Sequence, residues 1–424
     1  MKITAIALAL ISASALCVYA QDAAKTQQPP VTLEQAYKAA LKQSETLAEQ
    51  GANIDYYEQR INEMHAALLP QVNLTASQTW QDNSSNADDP TNTVPTSYRA
   101  SAIAVHQPLF TGLRDIIALK GAKVQTAAQQ AAYARAKQIL YENVAQAYLN
   151  LLSAQDTIAI RQAQIDITAQ LITELLSREK IGRSRHSEVL AAQSQLAQDQ
   201  AALASSLGAE RVAQWTFRFL TGMDGDAKPA ALAPVGKVAI DDYLVKAHSR
   251  PDVEQAKRNL EYAELFMDSE KNQRLPSAAF DGHYYLDREA GTLRHVYWDT
   301  IFSVSIPLYL GGSIDAQTAE ADAQRRSAVL ALQLALRQAD LDVHSAHDSL
   351  LSGIFSADAQ QNALAAAQAN AAAQKADYRY GLVTNLDVLT SLTTVETTKL
   401  SLEQAQIAVQ LSKAQLDVAA GIPQ

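Results

Sequence analysis

Pro108-Leu109-Phe110-Thr111-Gly112 and Pro307-Leu308-Tyr309-Leu310-Gly311 are one stretch written twice, 199 residues apart. Held at that offset, the chain keeps matching itself downstream. Leu151-Leu152-Ser153 meets Leu350-Leu351-Ser352, Gly182 meets Gly381, and Glu188-Val189-Leu190 meets Asp387-Val388-Leu389. Thr221-Gly222 meets Ala420-Gly421, where both copies end. Upstream the offset becomes 206 to 207, pairing Leu69-Pro70 with Leu275-Pro276 and Glu45 with Asp252. The slip falls between Pro70 and Pro108, where Asp82-Asn83-Ser84-Ser85-Asn86-Ala87-Asp88-Asp89-Pro90 has the composition of a loop. Self-similarity at a fixed offset means one structural plan used twice. The repeats are therefore expected over residues 21–222 and 223–424.

Each half reads helix, strand, loop, strand, very long helix, tight turn, helix. Strands are expected over about 69–80 and 98–110 in the first half, and about 275–287 and 297–309 in the second. Val72, Leu74, Ala76 and Trp80 alternate with Gln71, Asn73, Thr75, Ser77 and Thr79. Trp298, Thr300, Phe302, Val304, Ile306 and Leu308 alternate with Asp299, Ile301, Ser303 and Ser305. One apolar and one polar face over roughly ten residues suits a tilted strand crossing a bilayer. Trp80, Tyr98, Phe110, Tyr284, Tyr297, Trp298 and Tyr309 gather near the strand ends, as an interfacial girdle requires. A half-buried sheet of a soluble domain has the same alternation.

Helices are expected over about 33–66, 113–180 and 184–220, then 240–272, 313–379 and 384–420. From Leu113 to Lys180 there is no proline and one glycine, Gly121. At ~1.5 Å per residue such a helix is on the order of 100 Å long. Leu140, Val144, Ala147, Leu151, Ala154, Ile158, Ile165, Ile172 and Leu175 follow four-three spacing, interrupted by Arg161 and Thr168. That is a coiled-coil seam.

Lys2, the uncharged run Ile3 to Val18, and Val18-Tyr19-Ala20 have the layout of a signal peptide cleaved after Ala20. Cys17, the one cysteine, lies inside it. Leu16 stands where a lipoprotein signal wants a small residue. The mature chain is then thiol-free, which excludes disulfides and thiolate metal sites. A net charge of −10 and the absence of a basic block argue against nucleic acid. Four strands are too few to close a membrane barrel, and open edges in lipid leave unpaired N–H and C=O groups. Strands that cross a membrane here require several chains per barrel: two give eight strands, three give twelve.

Taken in order and twice over, these features resemble the TolC family of outer-membrane factors. The resemblance rests on the duplicated plan, the Leu-Pro strand openings and the Pro-Leu-aromatic-x-Gly strand endings. It rests also on the turns Ile181-Gly182-Arg183-Ser184 and Tyr380-Gly381-Leu382-Val383-Thr384. It implies a mixed fold of transmembrane β and coiled-coil α: a homotrimer whose protomers give four strands each to a twelve-stranded barrel in outer-membrane lipid, above a periplasmic α-barrel. It further implies a passive duct for efflux or type I secretion, linked through a periplasmic adaptor protein to an inner-membrane pump or secretion ATPase.

Site residues follow from the same resemblance. Adaptor docking falls on Gly182, Arg183 and Ser184 and on Gly381, Leu382, Val383 and Thr384, with Arg183 replacing the family's leucine. Glu188 and Asp387 match carboxylates at the tunnel entrance, and Tyr378 matches a tyrosine that bonds to the first of them. Six such acids around one axis attract cations and raise some of one another's pKa values. An acid early in a helix also stabilises the helix start through the dipole. Val383 stands where some members carry a gate arginine, and Thr390 where a second ring aspartate would be, which implies a thinner latch.

Two other readings compete. An enzyme would need a catalytic arrangement, and none of the usual motifs is present. His344 and His347, near Asp342 and Asp348, are the one stretch that suggests a metal, but without a second ligand group a solvated helix face is the expected reading. Neither a metal nor a cofactor is implied. A soluble periplasmic coiled-coil scaffold or adaptor would account for the helices, though not for paired alternating segments at equivalent places in both halves.

Overall fold

The computed structural model describes residues 30–81, 97–223, 234–289 and 295–422. The expected signal peptide, the loop from Asp82 to Pro90 and most of the segment from Met223 to Gly236 lie outside them. By internal contacts the chain divides into two units. One holds the described residues of 30–43, 143–236 and 353–411. The other holds those of 44–142, 237–352 and 412–422. Among the described residues, no helix is long and apolar enough to cross a membrane.

The second unit carries a four-stranded antiparallel sheet in the order β1 (Gln71–Trp80), β2 (Ser97–Phe110), β3 (Ser277–Arg288), β4 (Trp298–Ser305). Residues directly opposite share a face. Leu74, Ile103, Tyr284 and Trp298 line up across all four strands, with Phe280 and Phe302 beside them, so this face is apolar in its middle, with Gln78 and Arg99 toward one end and Gln107 toward the other. Gln71, His106 and Asp281 line up on the other face, as do Asn73, Ala104, His283 and Asp299. Ile301, opposite Asp281, is a large apolar side chain on that polar face. Leu286 has no residue opposite it, because Ala102 pairs with Tyr285 and Ser101 with Asp287. This bulge shifts the alternation by one and turns Arg288 onto the polar face. There its guanidinium lies 4.0 Å from the Tyr285 ring and 3.8 Å from Asp299.

The expected fourth strand ends early, at Ser305 rather than 309, and Pro307 with no N–H to donate supplies the reason. Two expected helices are each broken. Residues 33–66 form α1 (Leu33–Gln43) and α2 (Glu45–Ala66), because Ser44 is extended and its hydroxyl accepts the Leu47 N–H at 3.3 Å. Residues 240–272 form α5 (Asp241–Ala247) and α6 (Pro251–Lys271), because the residue before proline is driven out of helical geometry. The long elements are α3 (Arg114–Lys180), α4 (His186–Thr221), α7 (Ser313–Tyr380) and α8 (Asn385–Ala419).

Equivalent contacts secure the two repeats with different chemistry. The Tyr148 hydroxyl donates to the Val31 carbonyl at 2.9 Å, and at the equivalent place His347 Nε2 lies 3.2 Å from the Val238 carbonyl. A Cβ at Gly222 would meet Gln43 at 3.1 Å, and one at Gly421 would meet Arg250 at 3.2 Å. Arg250, whose side chain is 1% exposed, grips Asp252 through two bonds of 2.7 Å and Asp342 through one of 2.8 Å, and caps the Ala419 carbonyl. In the first unit, the two polar interruptions of the coiled-coil seam find polar partners, Thr168 buried and Arg161 half-buried. Thr168 donates to Asp199 at 3.0 Å, and Arg161 lies 3.7 Å from Glu396.

Arg250 is the second unit's buried ionic centre. Replacing it with alanine leaves two carboxylates without their cation, and is expected to cost about 3–5 kcal/mol. Burial raises the Asp252 pKa, but the hydrogen bonds and charge of Arg250 outweigh this and hold it below 3.8. A depressed carboxyl contributes stability above its ordinary value and loses it as pH falls through the depressed one. Thermal unfolding across pH should therefore show an acid-labile step below about 3.8 in the parent chain, and a weaker step in Arg250→Ala.

Candidate channel gate and docking turns

The two helical turns close alike. Arg183 N–H reaches back to the Arg178 carbonyl (2.9 Å) and Gly182 N–H to Glu179 (2.8 Å). Leu382 N–H reaches back to Asp377 (3.1 Å) and Gly381 N–H to Tyr378 (3.1 Å). Both are Schellman caps, with glycine at the left-handed position, φ +73° and +77°. No atom lies within 4 Å of a Cβ built at either glycine, so backbone geometry alone selects them. Gly182, Arg183, Gly381, Leu382 and Thr384 are exposed, and Ser184 and Val383 are half-buried. Ile181, Tyr380, Leu382 and Leu386 present exposed apolar side chains at the turns, among the exposed Lys180, Arg183, Arg185 and Arg379.

The helices that follow begin differently, and this difference separates Glu188 from Asp387. In the second repeat Thr384 and Asp387 form a capping box. Asp387 Oδ2 accepts from the Thr384 hydroxyl at 2.6 Å and its N–H at 2.8 Å, while the Asp387 N–H points back to the Thr384 hydroxyl. These bonds hold the Asp387 pKa below its ordinary value, the hydroxyl first and the N–H second. Within one chain the effect is thus opposite to that expected of crowded acids.

Arg185 takes the equivalent place in the first repeat, and its side chain makes no cap bond. The Glu188 carboxylate is used elsewhere. Its Oε2 accepts from the Tyr378 hydroxyl at 3.1 Å and from Ser184 at 2.7 Å. Burial raises the Tyr378 pKa and the Glu188 charge adds to it, against Ser184 and Arg178. Tyr378 therefore stays a protonated donor. The Arg178 guanidinium lies 5.0 Å from the Tyr378 ring centre while pairing with Glu174 at 2.6 Å.

Of the three expected gate residues, the fold brings Glu188 and Tyr378 together and occupies Asp387 within its own turn. Val383 is half-buried, and Thr390 is exposed on the first turns of α8. Sequence reasoning missed Asn385 and Arg178, which touch Glu188 and Tyr378 from neighbouring helices. The aromatic set divides as well. Trp80, Tyr284 and Trp298 lie on the apolar face, whereas Tyr98 sits opposite Thr79 on the polar one, and Tyr309 lies exposed beyond the end of β4. Of the histidines weighed for a metal, His347 faces the Val238 carbonyl, and no group of three or more His, Cys, Asp or Glu among the described residues is placed to hold an ion.

The family model for outer membrane efflux proteins matches residues 36–223 and 246–422. The chain belongs to the outer membrane efflux protein family. It is 24% identical over 418 residues to the outer membrane protein TolC of Escherichia coli K12, covering 92% of this chain and 82% of that one. To the TolC of Vibrio cholerae it is 25% identical, covering 92% and 90%. Its fold superposes on CusC with a TM-score of 0.82 at 19% identity, covering 92% of both chains. On the outer membrane protein VceC of Vibrio cholerae the TM-score is 0.79 at 19% identity, covering 92% and 96%. The fold is thus that of TolC-like channels, mixed α and β in two tandem repeats. This efflux family member is an outer-membrane channel subunit.

The capping box generates a direct test. In Thr384→Ala the Asp387 carboxylate loses its strongest donor, so its pKa should rise toward 3.8. A carbon-detected NMR titration in detergent measures this, with Asp387→Asn identifying the resonance. An unmoved titration would mean the box does not set the charge.

Proposed function

We propose that three copies of this chain close one barrel and one helical duct, built from the repeats 21–222 and 223–424. In this reading the turns at Gly182 and Gly381 receive a periplasmic adaptor, and Glu188 and Tyr378 latch the closed entrance. Asp387 gives the entrance its negative charge and its preference for cations. TolC-like outer-membrane factors form trimers and work with adaptors and inner-membrane transporters, which supports this arrangement.

The observation that carries it is an unequal pair of seams. Inside the chain, α3 of the first repeat meets α8 of the second through polar contacts. Arg135 donates to the Val418 carbonyl at 2.9 Å, Gln138 to Gly421 at 3.0 Å, and Gln415 to Glu142 at 3.3 Å. Carried by the repeat offset of 199, the same seam would join α7 of one copy to α4 of the next. There Arg135 becomes Leu334 and Glu142 becomes Leu341, which are 58% and 59% exposed. Ala414 and Val418 become Trp215 and Phe219, 67% and 79% exposed. At these four positions the second seam is apolar and uncovered in a single chain, while Gln138 and Gln415 become the polar Arg337 and Thr216, and a ring of copies would cover all of them. Burying Phe219 or Leu334 contributes about 1.5–3 kcal/mol each. The unpaired outer edges of β1 and β4 call for the same neighbour.

Phe219→Asp should leave the chain monomeric in mild detergent and abolish conductance in planar bilayers. Gln138→Ala, on the polar seam within the chain, should leave assembly intact. Trimers of normal heat resistance from Phe219→Asp would contradict the proposed ring.

A further inference from the structure

We infer that Asn385 is a second half of the latch: a positioning residue that grips the backbone of Glu188 and holds the two hairpins together independently of Tyr378. The inference rests on the gate reading above and adds to it. Asn385 opens α8 and is 1% exposed, although it is polar and stands next to an exposed turn. Its Nδ2 donates to the main-chain carbonyl of Glu188, 3.3 Å away. Tyr378, in the last turn of α7, donates to the Glu188 carboxylate. The second hairpin therefore takes hold of one residue of the first hairpin from both sides of its own turn, by side chain and by backbone.

The two grips differ in chemistry. The Tyr378 bond ends on a carboxylate and depends on that charge. The Asn385 bond joins an uncharged amide to a carbonyl and is indifferent to salt and to pH. Burial makes it costly to break without replacement, since water does not reach a group so enclosed. Its repeat equivalent is His186, which lies 2.9 Å from Glu179 on its own side of the first turn and makes no comparable crossing. Of the two equivalent positions among the described residues, the one that opens α8 beside α4 makes the crossing. Separation of the hairpins has to break both grips, so removing either should favour the open entrance.

The test uses the full chain assembled in planar bilayers. A hydrogen bond of ordinary net strength shifts an open–closed ratio about five-fold per subunit, and on the order of a hundred-fold if three subunits open together. Asn385→Leu, of similar shape but without the donor, should raise the open–closed ratio by that order, as Tyr378→Phe should. The double variant should exceed either. Asn385→Ala, smaller and uncharged, also removes the N–H, guards against a packing artefact of the leucine and should behave as Asn385→Leu does. Heat resistance of the oligomer should stay at the parent value, because the crossing bears on the entrance and not on assembly. If Tyr378→Phe opens the channel while both Asn385 variants conduct as the parent does, Asn385 is not a latch and the gate reading stands. If no variant opens it, the gate reading itself fails.

Discussion

A sheet of four strands has two unpaired edges, and in lipid every N–H and C=O on those edges lacks a partner. The order β1-β2-β3-β4 leaves β1 and β4 in that position, with apolar side chains on one face and His–Asp pairs on the other. A soluble sheet could blunt such edges with charge or cover them with a helix. A membrane sheet must find other strands. The proposed ring extends the same requirement to the long helices, where it would cover the exposed Trp215, Phe219, Leu334 and Leu341.

Duplication supplies the backbone, and divergence at equivalent positions supplies the working parts. Tyr148 and His347 hold the same carbonyl position with different side chains. Gln43 and Arg250 lie under the same terminal glycine, yet only the second builds a buried ionic centre. Arg185 and Thr384 begin the same helix, and because only threonine can cap it, Asp387 is held locally while Glu188 is left for Tyr378. Two identical repeats per chain would have identical seams and no such difference between the two carboxylates.

Much of this was legible in the sequence because it is periodic. Alternation over Gln71–Trp80 and Trp298–Ser305 names both faces of the sheet, since side chains on a strand point to opposite sides in turn. The repeat offset names the equivalent turns at Gly182 and Gly381. What escaped depends on single residues or on distant neighbours. The bulge at Leu286 follows from one extra residue and reverses where Arg288 points. Ser44 breaks a helix whose flanking composition is helical throughout. Tyr98 falls on the polar face because its register is set by Thr79 across the hairpin. The Glu188–Tyr378 pair came from family resemblance alone, and Asn385 was invisible because its partner lies 197 residues away in the chain.

In the proposed ring, the edges of β1 and β4 are completed by other copies of the same chain. Cysteine cross-linking in intact outer membranes tests this most directly, against a mature chain expected to have no thiol of its own. A cysteine at Thr75 on β1, paired in turn with one at Asp299, Ile301 or Ser303 on β4, should give one register that cross-links between chains. A ring of three copies gives a ladder of covalent dimers and trimers that stops at three. Monomers at every register, with the same protein present in the outer membrane, would contradict it.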